Sequence, residues 1–214
     1  MITQGVDKEY QEYLNDGNAL WRCSNSVLYQ MCLDYPFHSD GDVIVSKLLM
    51  IGRTYAAALE RRKNAVESSD AFYYQKVIPE MLRIGPELDE RLNALRNTND
   101  SIENNIDLVL ETHKFLVDSF ESLTALNKRS LASKYLHFHC PDMFFIYDSR
   151  ANDTVRSFVK RPSKQLLSSS ENYDLEYGVF VCRMIEFQSY LNESLGINAT
   201  PRELDDFLLS KVAR

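Results

Sequence analysis

Turn formers are scarce in this chain. Its 214 residues include only seven glycines and six prolines, too few for the many tight turns of an all-β fold. No run of about 18 uncharged apolar residues occurs, so no membrane-spanning helix is expected and the membrane is not an expected partner. The opening Met1-Ile-Thr-Gln-Gly-Val-Asp-Lys-Glu9 lacks the apolar centre of a signal peptide, which points to a cytoplasmic protein. In that setting the Asn-x-Ser/Thr triplets at Asn99, Asn152, Asn192 and Asn198 have no meaning as glycan sites. The four cysteines (Cys23, Cys32, Cys140 and Cys182) never adopt C-x-x-C spacing and read as reduced thiols. The phosphate loop G-x-x-x-x-G-K-S/T, the nucleophile elbow G-x-S-x-G and the zinc helix H-E-x-x-H are all missing. Their absence removes the commonest nucleotide, hydrolase and metalloprotease chemistries, and no cofactor is expected.

What the chain does have is amphipathic helix. With 44% hydrophobic residues it can bury a core as one domain over 1–214, or as two lobes of one domain. The periodicity gives an all-α fold of about eight to ten helices. Short helices are expected over 7–16 and 18–33, broken at Asp16-Gly17. A long helix capped by Asp42 is expected over 43–64, with Gly52 and Ala56 permitting close packing. A helix over 70–84 should kink or split at Pro79 and stop at Gly85, and Pro86 should open the next, over 86–96. The cleanest stripe is Ile102, Ile106, Val109, His113, Leu116, Phe120 and Leu123, on which His113 reads as a hydrogen-bonded core histidine. Residues 161–172 read as a loop, and 173–195 as a helix stopped by Gly196. Thr200-Pro-Arg-Glu203 is a capping box that starts the final helix.

The stretch from Leu126 to Arg150 concentrates the chemistry. Asn127 turns or caps, Lys128-Arg129-Ser130 leads into a helix, and Pro141 ends that helix near Cys140. Leu131, Tyr135 and Phe138 share an apolar face, while Ser130, Lys134 and His137 share a polar one. Met143–Tyr147 is apolar throughout and reads as a buried connector that delivers Asp148 to the start of the next helix, at about 150–160. Charge follows the same boundaries. The chain carries a net −7, yet residues 128–164 hold eight Lys/Arg against three acids, leaving 16 basic and 28 acidic residues elsewhere. One cationic face on an acidic body suits contact with phosphates, although a solvated helix face would give the same count. His137-Phe-His139-Cys140 invites a zinc reading, but i and i+2 residues point to different helix faces and no second Cys/His pair stands at finger spacing.

The run Leu131-Ala-Ser-Lys-Tyr-Leu-His-Phe-His-Cys-Pro-Asp-Met-Phe-Phe-Ile-Tyr-Asp148 resembles the helix-hairpin-helix DNA glycosylase superfamily, including bacterial proteins similar to 8-oxoguanine glycosylase. Thr200-Pro-Arg-Glu-Leu-Asp-Asp-Phe-Leu208 is similar to the last helix of such proteins. The resemblance implies an N-glycosylase that flips a damaged or modified base from DNA and excises it, in DNA repair or in antiphage defence. It implies Asp148 as the catalytic acid, with Lys134 sustaining its charge or acting as an amine nucleophile. Lys128, Arg129, Ser130 and Arg150 would meet the DNA backbone. Arg53, Tyr55, Tyr135 and Tyr147 are candidates for a base pocket, Arg53 having a buried ion pair as its bland alternative. The family hairpin is rich in glycine, whereas Leu126-Asn-Lys-Arg-Ser130 has none, so phosphate contact must rely on side chains and a helix N-terminus. Neither lysine fits the slot of the family's strand-cleaving nucleophile. A monomer is expected. Two readings from other classes stand beside the enzyme: an inactive DNA-binding module of the same fold, and a helical protein-interaction domain.

Overall fold

The structure, a computed structural model, describes residues 2, 6–15, 22–61, 69–163, 167 and 172–212. Among these the chain is all-α, with one isolated antiparallel bridge between Ile2 and Val159. The helices are α1 (Val6–Asn15), α2 (Arg22–Asp34), α3 (Gly41–Thr54), α4 (Ser69–Phe72), α5 (Ile78–Arg96), α6 (Ile106–Thr124), α7 (Arg129–His139), α8 (Ser149–Phe158), α9 (Leu175–Leu195) and α10 (Pro201–Ser210). The break expected at Asp16-Gly17 lies outside the described residues. No helix among them is long and apolar enough to cross a membrane.

Helix α7 is the hub. It packs against α2, α3 and α6, and nine of its eleven residues are buried. The polar face expected of it is therefore internal: Lys134 and His137 are shut off from solvent as completely as Leu131 and Phe138 on the other side. The connector Met143–Tyr147 is buried along its whole length, and Asp148 caps α8 by accepting a hydrogen bond from the Arg150 amide at 3.0 Å.

Two expected helix ends are corrected. Helix α3 is capped by Asp40 and ends at Thr54, ten residues before the expected boundary. Gly52 is the cause, since a Cβ there would lie 2.8 Å from the Ala58 Cα. The missing side chain lets residues 55–58 fold back over the helix, with Ala56 in the left-handed region (φ 51°) and the Ala57 amide bonded to the Gly52 carbonyl at 2.9 Å. Ala56 belongs to this turn and not to a helix-packing stripe. Helix α5, in turn, runs through Gly85-Pro86 without stopping. Pro86 removes one ladder bond, and Gly85 serves close approach: a Cβ would meet the His38 carbonyl oxygen at 2.7 Å. Pro79 acts one turn earlier. Its missing N–H and its ring are accommodated by a π turn at Tyr73–Val77, closed by the Ile78 amide on the Tyr73 carbonyl.

A Gly52→Ala substitution forces a methyl group against backbone and is expected to cost roughly 1–3 kcal/mol. A thermal melt reads this as a lower Tm, and an unchanged Tm would contradict the fold-back.

Candidate active site

A cleft of about 480 Å³ opens where two turns meet. One wall is the fold-back Tyr55–Ala58 with Arg61, and the other is the α6–α7 turn Leu126–Lys128 with Ser130 and Leu131. Asp148, Ser149 and Arg150 close the third side. Each turn contains a non-glycine residue at positive φ, Ala56 (51°) and Ala125 (55°), a conformation that costs alanine about 1 kcal/mol. These are the two positive-φ non-glycine residues among the described residues, and both serve to shape the walls of the cleft. Lys128 ties the walls together, its Nζ donating to the carbonyls of Arg61 at 2.9 Å and Ala58 at 3.4 Å.

Two helix N-termini open on the cleft. In α7 the Asn127 side chain accepts from the Arg129 amide at 3.0 Å and the Ala132 amide bonds back to Lys128. Helix geometry leaves the amides of Ser130 and Leu131 without an acceptor inside α7. In α8, Asp148 takes the Arg150 amide, and Ser149 begins the helix at the cleft wall. Their aligned dipoles favour an anion in the cleft.

Asp148 is the carboxylate among the lining residues, with its side chain 20% exposed. Its Oδ1 accepts from the Arg150 amide and, at 3.1 Å, from Arg150 Nε, while Oδ2 lies 4.0 Å from Lys134 Nζ. Burial alone would raise its pKa, but Lys134 and Arg150 outweigh burial and hold the carboxyl below its usual range. Lys134, 1% exposed, donates to Ser130 Oγ at 2.7 Å and to the Tyr147 carbonyl at 2.8 Å. Burial pushes its pKa down to about 8, against the pull of Asp205 and Asp148. Asp148, Lys134, Ser130, Lys128, Arg150 and Tyr55 are thus brought to one place.

The remaining expected site residues are not. Arg53 is exposed and lies outside the lining, so neither the buried ion pair nor the pocket role applies to it. Tyr135 faces another side of α7, packed against the rings of His38 and His139. Tyr147 turns its ring onto Phe180 and its hydroxyl onto Glu176, and only its carbonyl serves the site. Arg129 is occupied by carboxylates, with Nε 2.7 Å from Asp174 Oδ1 and Nη1 2.7 Å from Glu176, so its charge is neutralised internally. His113 fits its core reading, stacked on Tyr177 at 3.6 Å with Nε2 directed at the Arg129 carbonyl. His137 and His139 diverge. His137 bonds Tyr29 and the Phe144 carbonyl, and His139 stacks on His38.

Sequence reasoning missed the inner layer of the site. Arg202, on the first turn of α10, holds Asp205 at 3.2 Å and donates to the Tyr29 hydroxyl at 3.2 Å. That hydroxyl bonds His137 Nε2 at 2.6 Å, and His137 Nδ1 donates to the Phe144 carbonyl at 2.8 Å. The chain of bonds fixes the tautomer, because a carbonyl can only accept. The available signal was Asp205 itself, a carboxylate on the stripe Pro201, Leu204, Asp205 and Leu208 of an otherwise apolar face.

Compared with protein-family models, with curated proteins and with solved structures, the chain matches none of them.

The inner layer sets a pH dependence. Burial raises Asp205 to a pKa of about 7, although Arg202 and Lys134 pull it down. The folded state then holds a proton that the unfolded chain releases near pH 4, so stability is lost as pH rises through about 7. Lys134, lowered to about 8, acts in the opposite sense, losing stability as pH falls through that value. Asp205→Asn removes the first effect. The variant should gain on the wild type by roughly 2–4 °C in Tm between pH 5 and pH 8.5. Parallel Tm curves would refute the assignment.

Proposed function

We propose that this protein is a DNA N-glycosylase that flips a damaged or modified base out of the duplex and hydrolyses its bond to the sugar. The observation that carries the proposal is Asp148, kept ionised at the wall of a cleft on which two helix N-termini converge. The resemblance of residues 131–148 to the helix-hairpin-helix glycosylases points the same way, and the all-α fold is consistent with it. The finer assignment, a helix-hairpin-helix glycosylase fold with α6, its turn and α7 as the hairpin, is part of the same proposal.

The chemistry follows from the charges. Breaking an N-glycosidic bond leaves positive charge on the sugar as the base departs with the bonding electrons. A carboxylate beside that sugar stabilises the transition state and orients a water for attack at the same carbon. Asp148 fills both roles. Its Oδ1 is engaged by Arg150, which leaves Oδ2 as the edge on the Lys134 side. Lys134 acts through Asp148 and not as a nucleophile, because its ammonium is already committed to Ser130, to the Tyr147 carbonyl and to the carboxylate. The reaction is therefore base excision without amine-driven strand cleavage. Lys128 and Arg150, together with the free amides at the starts of α7 and α8, hold the flanking phosphates. DNA is the partner on this reading, and repair of a damaged base or attack on modified foreign DNA is the setting. No cofactor enters.

The test is abasic-site formation on DNAs containing uracil, 8-oxoguanine, alkylated bases or the modified cytosines of phage DNA, with Asp148→Asn alongside. Asparagine caps a helix as well as aspartate, so the variant should fold. Excision should fall by a factor on the order of 100 or more while binding to an abasic-site analogue persists. Borohydride should trap no covalent adduct. DNA binding without preference for the abasic analogue and without excision of any base would favour a catalytically inactive binding module, and excision unaffected by Asp148→Asn would discard the mechanism.

A further inference from the structure

A second groove, of about 460 Å³, runs between α8 and α9. Three arginines line it, and one of them is neutralised. Arg129 is held by Asp174 and Glu176, and those acids are engaged further, Asp174 as the cap of α9 and Glu176 as acceptor of the Tyr147 hydroxyl. Arg183, partly buried on α9, makes no ion pair among the described residues. Its Nε donates to the Val159 carbonyl at 3.2 Å, which leaves its two Nη groups available. The nearby charge that acts on it is a like one, Arg156 on α8, and burial and that repulsion both lower its pKa. Arg156 stands 3.7 Å from Asp153, but both side chains are more than half exposed, so water screens that contact.

Two guanidiniums facing one groove without a carboxylate of their own are unfavourable unless an anion joins them. The planar fork of arginine pairs bidentately with the oxygens of a phosphate. Beside the pair, Leu175, 61% exposed, and Val179 give the groove an apolar wall that suits the C–H face of a sugar. The groove also adjoins the cleft through two helices. On α7, Ser130 lines the cleft and Arg129 the groove. On α8, Ser149, Asn152 and Arg156 fall at i, i+3 and i+7, with Ser149 on the cleft and the other two on the groove. From Ser149 to Arg156 the helix rises about 10 Å, roughly three steps of a B-form strand.

We infer that Arg156 and Arg183 hold a backbone phosphate of the DNA strand whose nucleotide enters the cleft, about three steps away from that nucleotide. The inference rests on the glycosylase reading and gives the DNA a second anchoring point. The contact carries no sequence information, because the phosphate is the same at every step. What it fixes is the direction of the strand, along α8 and away from Asp148. It also supplies cationic surface outside the cleft, where Lys128 is tied to two carbonyls and Arg150 to Asp148.

The experiment measures binding of the full chain to a duplex carrying an abasic-site analogue, by fluorescence anisotropy over a series of salt concentrations. Arg156→Gln and Arg183→Gln are measured in parallel, with a thermal melt of each. Either variant should weaken binding roughly five- to tenfold at about 0.1 M salt, and should lower the slope of log Kd against log salt by about one, the signature of one lost phosphate contact. Arg156 is at the surface, so Arg156→Gln should melt like the wild type and decides the matter if Arg183→Gln is unstable. Affinity and slope unchanged in the folded variants overturn the inference. Inorganic phosphate is titrated alone against the same proteins. Tight phosphate binding lost in variants whose DNA binding is intact would assign the groove to a free phosphate ester and overturn the DNA assignment. A wild type that neither binds DNA nor excises a base sinks the glycosylase reading and this inference with it, whereas excision by the wild type with indifferent arginine variants sinks the inference alone.

Discussion

The site depends on how a buried, non-repetitive segment satisfies its backbone. Met143–Tyr147 crosses the core as neither helix nor strand, so its amides and carbonyls find no partner within the segment. Side chains supply them. Ser133 Oγ accepts from the Tyr147 amide at 2.9 Å, Lys134 Nζ donates to the Tyr147 carbonyl, and His137 donates to the Phe144 carbonyl. Tyr177, from α9, donates to the Phe145 carbonyl at 2.9 Å. The polar face of α7 thus does for the connector what a neighbouring strand would do in a sheet. This explains why a helix with so many polar residues is buried on nearly every side, and why Asp148 emerges at a fixed place and angle.

The same bonds that hold the connector set the electrostatics of the cleft. A lysine needed to satisfy a carbonyl brings a charge with it, and a buried charge needs a counter-charge. Asp148 on one side and Asp205 on the other supply it, the first ionised and the second poised near neutrality. The two carboxyls differ because of what stands around them. Asp148 has the α8 amides, Arg150 and a partial outlet to solvent. Asp205 is fully enclosed and meets its arginine through a single bond. One fold therefore couples a carboxyl favoured in its charged form and a titratable one to a single ammonium.

Sequence patterning made the outline of this arrangement legible. The α7 helix, its stop before Pro141, the connector, Asp148 as a cap and the Thr200–Glu203 capping box all follow from local chemistry, and local chemistry is what a sequence records directly. The misses were of another kind. Gly85 reads in sequence as a helix stop and Gly52 as a helix-packing position, but each is small because another part of the chain crosses it, the His38 loop at Gly85 and the 55–58 turn at Gly52. Arg129 was counted with the cations facing phosphate because its partners, Asp174 and Glu176, lie some 45 residues away in sequence. Tyr135 and Lys134 fall on different faces of α7, as the helical spacing indicates, and only the Lys134 face meets Asp148. Arg202 and Asp205 come from the far end of the chain and could be connected to Asp148 only once α10 was in place.

Accounting for the cations in this way changes what the charge count means. Of the eight basic residues in 128–164, Arg129 is neutralised, Lys134 is internal and Lys128 is engaged with two carbonyls at the cleft wall. Arg150 leans on Asp148, and Arg156 stands 3.7 Å from Asp153. Of these five, Lys128 and Arg150 line the cleft with Asp148, so its positive rim is smaller than the sequence count suggests. On the proposed glycosylase reading, a net charge of −7 disfavours DNA in general, so binding would rest on helix amides, rim cations and an extruded nucleotide together.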